Sequence, residues 1–483
     1  MPDWPKFLPL PSKRICDLSD RQTETFRAWM GLNETGTPTD SVPYPTPQEK
    51  THRQKRERWK RRFAGKGQEK PSLLIRSEQI ARLKKNVKVD ATARKHRDEV
   101  LTDAETVAAL PAGFFDSFIP EQGPWNPGGN FCPNCVHRKS PEGINNYFWD
   151  WDWQNPERLT CPYCAKVFPD AEHSDNGTLH LPRLGQNYRF HVLDAEFSTG
   201  DWRLGDAAGR FVAQPIHVSF SGNIRALRIN WAIARLKSLG LAYAITRDER
   251  FVRPVAEILN RFARVYTGYP LQSYFQDVVD ADPGFAVDHA DSLPTVFKRN
   301  ACIGVYDGRF GYRHERTTTR DTRVATGLWG SSRIARELTT TGNAFMTVFQ
   351  AYDLVKSAID PELRRHIEQR FILELYLDTR AYDYITNKAG NIRASRVAFG
   401  QVYGNKGERR EGIKGFHAIL SGQFHKDGST KETPLYGHKP IGENLWRIPE
   451  MLRGETDLYT NSLLPAAFDT FSRVQTPWAT HPP

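Results

Sequence analysis

The pattern of apolar and polar positions predicts a mainly helical chain from about residue 220 onward. A first helix follows Gly222, a second follows Asp248, and Pro270 ends the hairpin that they form. A third begins at Asp360-Pro361, because Asp is a favoured N-cap and Pro is tolerated in the first turn. The apolar faces that predict the first and third helices are Ile229, Ala232, Ile233 and Leu236, and Leu363, Ile367, Phe371 and Leu375.

The same spacing fits further helices over 325–338, 343–358, 391–404 and 411–425, joined by short turns. Helix follows helix with little strand signal, which indicates an all-α array, either a solenoid or a closed (α/α) toroid. One pentapeptide, Gly-Asn-Ile-Arg-Ala, spans residues 222–226 and again residues 390–394, each time at the start of a predicted helix. The repeat is consistent with repeated helix hairpins, and coincidence is the alternative.

The N-terminal part of the chain has a different character. Residues 1–70 are rich in Pro, Thr and charge with little periodicity, and they predict a basic, disordered arm. A folded domain is expected over 71–483, opening with a short strand in PSLLI and a helix with Ser77 as its N-cap. Inside this domain, residues 125–175 are rich in Gly, Pro and aromatic residues, and we expect them to form a small inserted module.

Charge and hydropathy limit the classes of protein to which this chain can belong. The 483 residues carry a net charge of +11, and residues 49–70 contribute ten Lys or Arg against three Glu, a net +7. A block of one sign is typical of a solvated arm, and less often of one that binds nucleic acid. No run of 18 or more apolar residues occurs, so a membrane-spanning helix is not expected.

Four of the six cysteines form two C-x-x-C pairs, which predicts a structural zinc site. The pairs are Cys132 with Cys135 and Cys161 with Cys164. Two such knuckles offer four thiolates to one ion, which is the closed tetrahedral arrangement that structural zinc prefers. Disulfides or redox thiols are the alternative. Because four cysteines leave no open coordination position, we expect this zinc to hold the fold and to take no part in chemistry.

A zinc module beside a basic arm also fits a nucleic-acid-binding protein. Between the two cysteine pairs, however, the run FWDWDW at 148–153 alternates aromatic residues with Asp, where phosphate contacts would need Lys or Arg. Such aromatic residues are more typical of core packing, and next of stacking on sugars. Nucleic acid is therefore the less favoured partner.

The C-terminal third resembles the heparinase II/III-like polysaccharide lyases, which include relatives of alginate lyases. The residues that carry the resemblance are Asn391 at a helix start and then the segment Asp427-Gly428-Ser429, Glu432 and Tyr436. Upstream, PSLLIRSEQIARL, the paired C-P-x-C and LWGSSRIAREL are also similar to members of this family, so the resemblance covers about residues 71–470. It implies an (α/α) toroid with a zinc-ribbon-like insert. The family's C-terminal β-sandwich is expected to be absent, because no pattern of alternating strands follows residue 455.

The resemblance implies β-elimination across a uronic acid in an anionic polysaccharide. Tyr436 would transfer the proton, Asn391 would neutralise the substrate carboxylate, and His438 would assist. A Tyr base at neutral pH needs nearby cations, because its usual pKa is near 10. Expected substrate-binding residues are Arg393, Arg396, Glu432 and Trp446. Several residues of the proposed site also have a plain structural interpretation. Asn391 would be an N-cap, Asp427-Gly428 a turn, and Trp446 part of the core.

Two other functions fit the same sequence. A glycoside hydrolase on an α/α toroid would need two facing carboxylates, for which Glu432 and Glu443 are candidates. A catalytically inactive or truncated toroid that only binds carbohydrate would explain Ile392, because several family members have His at this position. The sequence indicates neither the polysaccharide nor the oligomeric state. The resemblance implies a periplasmic or secreted location, whereas MPDWPKFLPLPSKRI lacks the apolar segment of a secretory signal.

Overall fold

A computed structural model describes residues 44–125, 132–134, 149–191, 218–273, 278–290, 293, 297–299, 331–334, 338–381, 389–431, 445–460 and 462–473. This part of the chain is mainly helical, as the hydrophobic pattern predicts. The helices are α1 (Pro47–Arg61), α2 (Ser77–Val89), α3 (Ala91–Ala108), α4 (Phe114–Phe118), α5 (Phe220–Thr246), α6 (Val252–Val265), α7 (Pro283–Asp288), α8 (Leu338–Val355), α9 (Pro361–Ile367), α10 (Leu373–Arg380), α11 (Gly390–Val402), α12 (Lys406–Gln423), α13 (Arg447–Met451) and α14 (Leu464–Arg473).

The strands are short and antiparallel. They are β1 (Leu159–Thr160), β2 (Val167–Phe168), β3 (Gly177–Leu181), β4 (Gln186–Phe190), β5 (Gln272–Ser273), β6 (Val278–Val279), β7 (Lys298–Arg299) and β8 (Ser331–Ser332). β1 pairs with β2 and β3 with β4, while the last four form a sheet in the order β7-β6-β5-β8. Short 3-10 turns (Glu249–Phe251, Tyr266–Gly268 and Lys356–Ala358) follow α5, α6 and α8.

The chain folds into two compact units. Unit 1 consists of Met1–Arg56, Pro120–Trp231 and Gly268–Glu337, and unit 2 consists of Glu57–Ile119, Ala232–Thr267 and Leu338–Pro483. The cysteine pairs and all the strands belong to unit 1, whereas α8 to α14 belong to unit 2. Both units have buried cores. In unit 1 the aromatic side chains of Trp149, Phe168 and Phe220 pack beside the cysteines, and in unit 2 Tyr376 stacks on Phe399.

The expectation of a disordered arm is wrong for residues 47–61, which form helix α1. Its charged side chains are used internally: within unit 1, Arg183 Nη2 lies 2.7 Å from Glu49 Oε2, and both side chains are buried. Within unit 2, the buried Lys60 Nζ lies 2.7 Å from Glu374 Oε2. The charge block therefore encodes an ion-paired helix as well as a solvated face, a distinction that composition cannot make. Residues 1–43 lie outside the described residues.

The predicted strand at 71–75 is also absent, and the helix after it has Arg76 as its N-cap in place of the expected Ser77. Asp353 Oδ2 accepts hydrogen bonds from the backbone N–H groups of Ser72 and Leu73, at 2.8 and 3.1 Å, so helix α8 takes the place of a partner strand. Ser77 is the first helical residue, and Arg76 occupies the N-cap, where its N–H donates to Gln79 Oε1.

The apolar stripe from Leu363 to Leu375 is confirmed as one continuous helical segment, with a π-helical insertion at its centre. Asp360 caps α9 through hydrogen bonds from the N–H groups of residues 362 and 363, as predicted. The π segment, Glu368–Ile372, joins α9 to α10. Its buried Glu368 accepts hydrogen bonds from Tyr352 Oη at 2.5 Å and from the Gly65 N–H. Burial, and then the Glu368 charge, raises the pKa of Tyr352 above its usual value.

Most of the other predicted helices are confirmed. The segments 343–358, 391–404 and 411–425 correspond to α8 with its 3-10 extension, α11 and α12. The predicted helix at 325–338 is wrong at Ser331 and Ser332, which pair as β8 with β5. Among the described helices, none combines the length and apolar character that a membrane span requires.

Candidate functional site

Three of the four predicted metal ligands converge in unit 1. The Sγ atoms of Cys132, Cys161 and Cys164 all lie within 4.8 Å of one another. Cys132 Sγ and Cys164 Sγ are 3.7 Å apart, far longer than a disulfide bond of about 2.05 Å. Zn–S bonds of about 2.3 Å in a tetrahedron would place two sulfurs about 3.8 Å apart. The spacing therefore fits two thiolates on one ion. Cys135 lies outside the described residues.

The second knuckle has the backbone shape that such sites use. The C-P-Y-C segment joins β1 to β2, and the Cys161 carbonyl accepts a hydrogen bond from the Ala165 N–H at 2.9 Å. Ala165 has φ +57, in the left-handed region that usually favours Gly. This explains why many zinc knuckles have Gly after their second cysteine, and it shows that Ala takes the same conformation here.

The cysteine cluster lies against an apolar core that also holds the start of helix α5. Cys132 and Cys161 are fully buried among side chains that include Trp149, Phe168 and Ile224. Ile224 belongs to the first copy of the Gly-Asn-Ile-Arg-Ala pentapeptide. The position of this copy therefore depends on the integrity of the cysteine module.

Asn391, the predicted carboxylate-binding residue, lies beside an arginine. It is the second residue of α11 and is buried. Its Oδ1 accepts a hydrogen bond from Arg447 Nη1 at 2.6 Å. The same guanidinium donates to Asn343 Oδ1 from Nη1 and Nη2, at 3.2 and 3.3 Å. Asn343, Asn391 and Arg447 thus form one cluster in unit 2, which we call the amide–arginine cluster.

The chemistry of this cluster is fixed by its arginine. A guanidinium only donates hydrogen bonds, so each asparagine must turn its carbonyl oxygen toward Arg447 and keep its NH2 group on the other side. Within the part of the chain that the structure describes, the Asn391 amide nitrogen has no hydrogen-bond acceptor. The cluster thus combines the Arg447 guanidinium with two amide NH2 groups that are turned away from it. A carboxylate is the ligand that such a set recognises best.

A close helix crossing brings the two asparagines together. A Cβ added at Gly342 of α8 would lie 3.2 Å from Ile392 Cγ1 and 3.3 Å from Asn391 Cβ. Only glycine lets α8 approach α11 this closely without a shift. The pair Gly342-Asn343 therefore places an exposed amide next to the start of α11, where the positive end of the helix dipole also favours an anion.

Arg393 and Arg396 have protein partners on other sides of α11. The buried Arg393 packs against α12, because a Cβ added at Gly415 would lie 2.5 Å from its Cδ. Arg396 Nη1 lies 3.7 Å from Glu408 Oε2, and the same carboxylate oxygen accepts a hydrogen bond from Tyr376. Burial, followed by the Glu408 charge, raises the pKa of Tyr376 well above its usual value. Among the described residues, the hydrogen bond that Asn391 accepts comes from Arg447.

Trp446 lies directly beside the amide–arginine cluster. It is half-buried, and the Arg447 guanidinium carbon lies 5.9 Å from the centre of its ring. On the following segment, a recess of about 630 Å³ is lined by Pro449, Arg453, Gly454, Glu455, Thr456, Asp457 and Tyr459. This volume is in the range of ligand-binding pockets. Burial, followed by a hydrogen bond to Glu450, raises the pKa of Tyr459 to about 12, so its hydroxyl remains protonated.

The Asp427-Gly428-Ser429 segment forms a tight turn, as predicted. Asp427 Oδ1 accepts hydrogen bonds from Ser429 N and Oγ, at 2.9 and 2.7 Å, and these hold the pKa of the exposed Asp427 below its usual value. Gly428 has φ +84, and an added Cβ would lie 2.2 Å from the backbone of Ala466. Glycine is therefore required twice over, by the turn and by its contact with α14.

Besides Cys135, three predicted site residues lie outside the described residues: Glu432, Tyr436 and His438. Two residues of the cluster, Asn343 and Arg447, were not among the predicted site residues. No spacing in the sequence links positions 343, 391 and 447. Two local features could have drawn attention to these residues. Asn343 is polar and precedes the apolar segment of α8, and Arg447 immediately follows Trp446. Comparison of the chain with protein-family models and with curated proteins finds no match.

Proposed function

We propose that the protein is a polysaccharide lyase that cleaves a uronic-acid-containing anionic polysaccharide by β-elimination. The amide–arginine cluster carries the proposal. β-Elimination needs a neutralised substrate carboxylate, because the negative charge otherwise keeps the adjacent C5 proton from becoming acidic. Arg447 and the NH2 groups of Asn343 and Asn391 supply the cation and donors that this step requires.

The remaining roles follow the order of motifs along the chain. Tyr436 would remove the C5 proton, the electron pair would form the C4–C5 double bond, and the C4–O bond would break. The departing oxygen would take a proton from Tyr436, which would end the cycle unchanged, and His438 would assist. Glu432 would orient its neighbours, since a carboxylate facing a uronate would repel it. Trp446 would stack on a sugar ring beside the cluster.

In this proposal the helix pairs of unit 2 are part of an incomplete (α/α) toroid. The antiparallel neighbours α11 and α12, joined by a tight turn at Gly404, are the kind of hairpin from which a toroid is built. Residues 125–175 would be a zinc-ribbon-like insert, with Cys135 as the fourth ligand. The Sγ spacing of the three described cysteines supports a tetrahedral thiolate site, and zinc is the ion such sites usually hold. It would stabilise the module only.

The test is near-ultraviolet absorbance during incubation with a panel of polyuronates, because elimination creates a conjugated uronate that absorbs. We expect a rise with at least one polymer, and a loss of about a hundredfold or more in kcat/KM for Arg447→Ala and Tyr436→Phe. Arg410→Gln, an exposed cation on α12, is the matched control and should keep full activity.

Each alternative function gives a different result in the same assay. New reducing ends without absorbance would identify a glycoside hydrolase. Binding of the polymer that is lost in Arg447→Ala, without any cleavage, would identify an inactive carbohydrate-binding protein. Either outcome would overturn the proposed reaction. Retained elimination in Arg447→Ala would remove the amide–arginine cluster from the mechanism.

A further inference from the structure

Helices α2 and α3 follow one another with only Asp90 between them, and this helix pair, which we call the hairpin, contributes little to the core of unit 2. No residue of α2 is buried. In α3 the buried residues are Ala104 and Val107, both near its C-terminal end. The half of the hairpin around the α2–α3 turn is therefore in solvent on most sides. Hydrophobic packing does not explain why this half is helical and ordered into a pair.

Charge is concentrated in this outer half. Residues 82–97 carry seven Lys or Arg and one acid, Asp90, a net +6. Asp90 is the N-cap of α3, where it accepts hydrogen bonds from the N–H groups of residues 92 and 93. We name as the cationic face the exposed side chains Arg82, Lys84, Lys85, Lys88 and Arg94.

The cationic face is not neutralised within the described residues. The ion pairs of the hairpin join Lys95 and His96 to Glu99, Arg97 to Asp98, and Asp103 to Arg235, and none of the described acids pairs with the cationic face. Lys84 and Lys88 stand four residues apart, so their charges repel one another on the helix surface. Arg94 folds back and donates to the carbonyls of Val87 and Lys88, at the C-terminus of α2. The cations are thereby gathered at one end of the hairpin.

Helix α1 provides a contrast within the same chain. It is also basic, yet its buried cations have acidic partners, for example Arg56 with Asp288 at 2.8 Å. The basic composition of α1 thus has a structural explanation. The basic composition of the outer half of the hairpin has no such structural explanation, which points to a ligand of opposite charge.

We propose that the cationic face is a second, non-catalytic binding surface for the anionic polysaccharide. The identity of the polymer rests on the proposed function, while the need for a polyanion rests on the hairpin alone. Residues 77–103 contain no Phe, Tyr or Trp, so the stacking platform of a single-stranded nucleic-acid site is missing. Val89 is 83% exposed, but one such side chain offers too little apolar area for a membrane anchor.

This surface holds long chains near the catalytic cluster and does not touch the bond that breaks. Its effect therefore depends on polymer length. A long polyuronate gains affinity by occupying both sites, because the second contact is intramolecular. A tetrasaccharide is too short to gain from the second site. The affinity gained at the cationic face falls steeply with salt, as for other polyanions.

The test uses the full chain and the quadruple variant Arg82→Gln/Lys84→Gln/Lys85→Gln/Lys88→Gln. Its control, Arg158→Gln/Lys237→Gln/Arg410→Gln/Lys426→Gln, removes the same charge from exposed positions scattered over the fold. Binding of size-fractionated alginate is measured directly, at low and at moderate salt, with neutral dextran as a negative probe. Turnover of an alginate tetrasaccharide is measured alongside.

We expect the hairpin variant to bind long alginate about tenfold more weakly at low salt, with a shallower salt dependence. The control variant should bind within about twofold of the native protein. Tetrasaccharide turnover should be unchanged in both. If no polymer is cleaved but hairpin-dependent binding persists, the proposed reaction fails and the second surface stands.

Three outcomes would contradict the proposal that the cationic face binds the polysaccharide. Equal weakening in both quadruple variants would mean that net charge, and not the hairpin, attracts the polymer. Undiminished binding in the hairpin variant would exclude it directly. Hairpin-dependent binding to a single-stranded RNA or to phosphatidylserine vesicles, with none to alginate, would assign the surface to a different partner.

Discussion

The two copies of Gly-Asn-Ile-Arg-Ala, at 222–226 and 390–394, have the same sequence at the start of a helix and different surroundings. In the first copy, Asn223 Nδ2 donates to the Ser219 carbonyl at 2.8 Å, so its amide is used within its own helix. In the second copy, Asn391 Oδ1 accepts a hydrogen bond from Arg447 Nη1 at 2.6 Å, and in the proposed function its NH2 group would bind the substrate carboxylate. The pentapeptide therefore specifies a helix start, and the role of its asparagine is decided by which distant residue lies against it.

Removal of the proposed zinc should produce the largest difference between the copies. The Ile224 side chain shares a core with Cys132 and Cys161, whereas the second copy lies in the other unit. Chelation should destabilise unit 1 by an amount on the order of 5 kcal/mol, since structural zinc sites of this kind contribute to folding directly. Hydrogen exchange should rise at residues 218–227 and stay constant at 390–402. Equal exchange at both copies would mean that the cysteine module does not support the first copy more than the second.

Gly222→Ala should be the most damaging single substitution in the first copy. The added Cβ would lie 1.9 Å from the backbone oxygen of Trp125, and backbone cannot move aside as a side chain can. We expect a loss of about 3 kcal/mol in the free energy of unfolding, measured by denaturant titration. Gly240→Ala, where the Cβ would lie 3.0 Å from Ala351, serves as the milder control. A neutral Gly222→Ala would mean that the start of α5 can move away from Trp125.

The paired substitutions Asn223→Ala and Asn391→Ala should separate the two roles. Asn223→Ala removes a buried hydrogen bond and should lower stability by about 1–2 kcal/mol without changing kcat/KM. Asn391→Ala removes a charge-assisted hydrogen bond and should lower stability by a similar amount, yet it should also reduce kcat/KM in the proposed elimination about a hundredfold. Denaturant titration and absorbance assays on both proteins check this. The reverse assignment would show that the second copy is the structural one.

Gly342→Ala should have the smallest effect, and it tests whether the second copy needs the close approach of α8. Its Cβ would approach Ile392 to 3.2 Å, so the helices must separate by a few tenths of an ångström. We expect a stability change below about 1 kcal/mol and a several-fold rise in KM, as Asn343 moves away from Asn391. An unchanged KM would mean that the spacing of the two amides does not matter for binding.

The sequence predicted the local structure of these regions better than their long-range contacts. Helical periodicity, the Asp360-Pro361 start and the Asp427-Gly428 turn are local features, and the structure contains all three. The failures at PSLLI and at Ser331 have a common physical cause. Both segments are short and apolar or small, and a distant partner decided their conformation: Asp353 in one case and β5 in the other.

The site was predicted in part for the same reason. The cysteine spacing is local enough to predict that thiols converge, and three of them do. Asn391 could be singled out from the resemblance, but Arg447 could not, because 56 residues separate it from Asn391. The basic block of α1 shows the opposite error, since a charge count assigns Lys60 and Arg56 to solvent, whereas both are buried beside Glu374 and Asp288. Composition describes a segment, whereas burial depends on its partners.

The hydrogen bond from Gly65 to the buried Glu368 has a practical consequence for anyone who expresses this protein. A clone that starts at residue 71 would follow the boundary that the sequence suggests, and it would keep all the cysteines as well as Asn391 and Tyr436. It would also remove Gly65, and with it one of the donors that Glu368 uses within the helix it interrupts. Such a fragment should be less stable than the chain that keeps Gly65, and the absence of activity in it would say nothing about the proposed function.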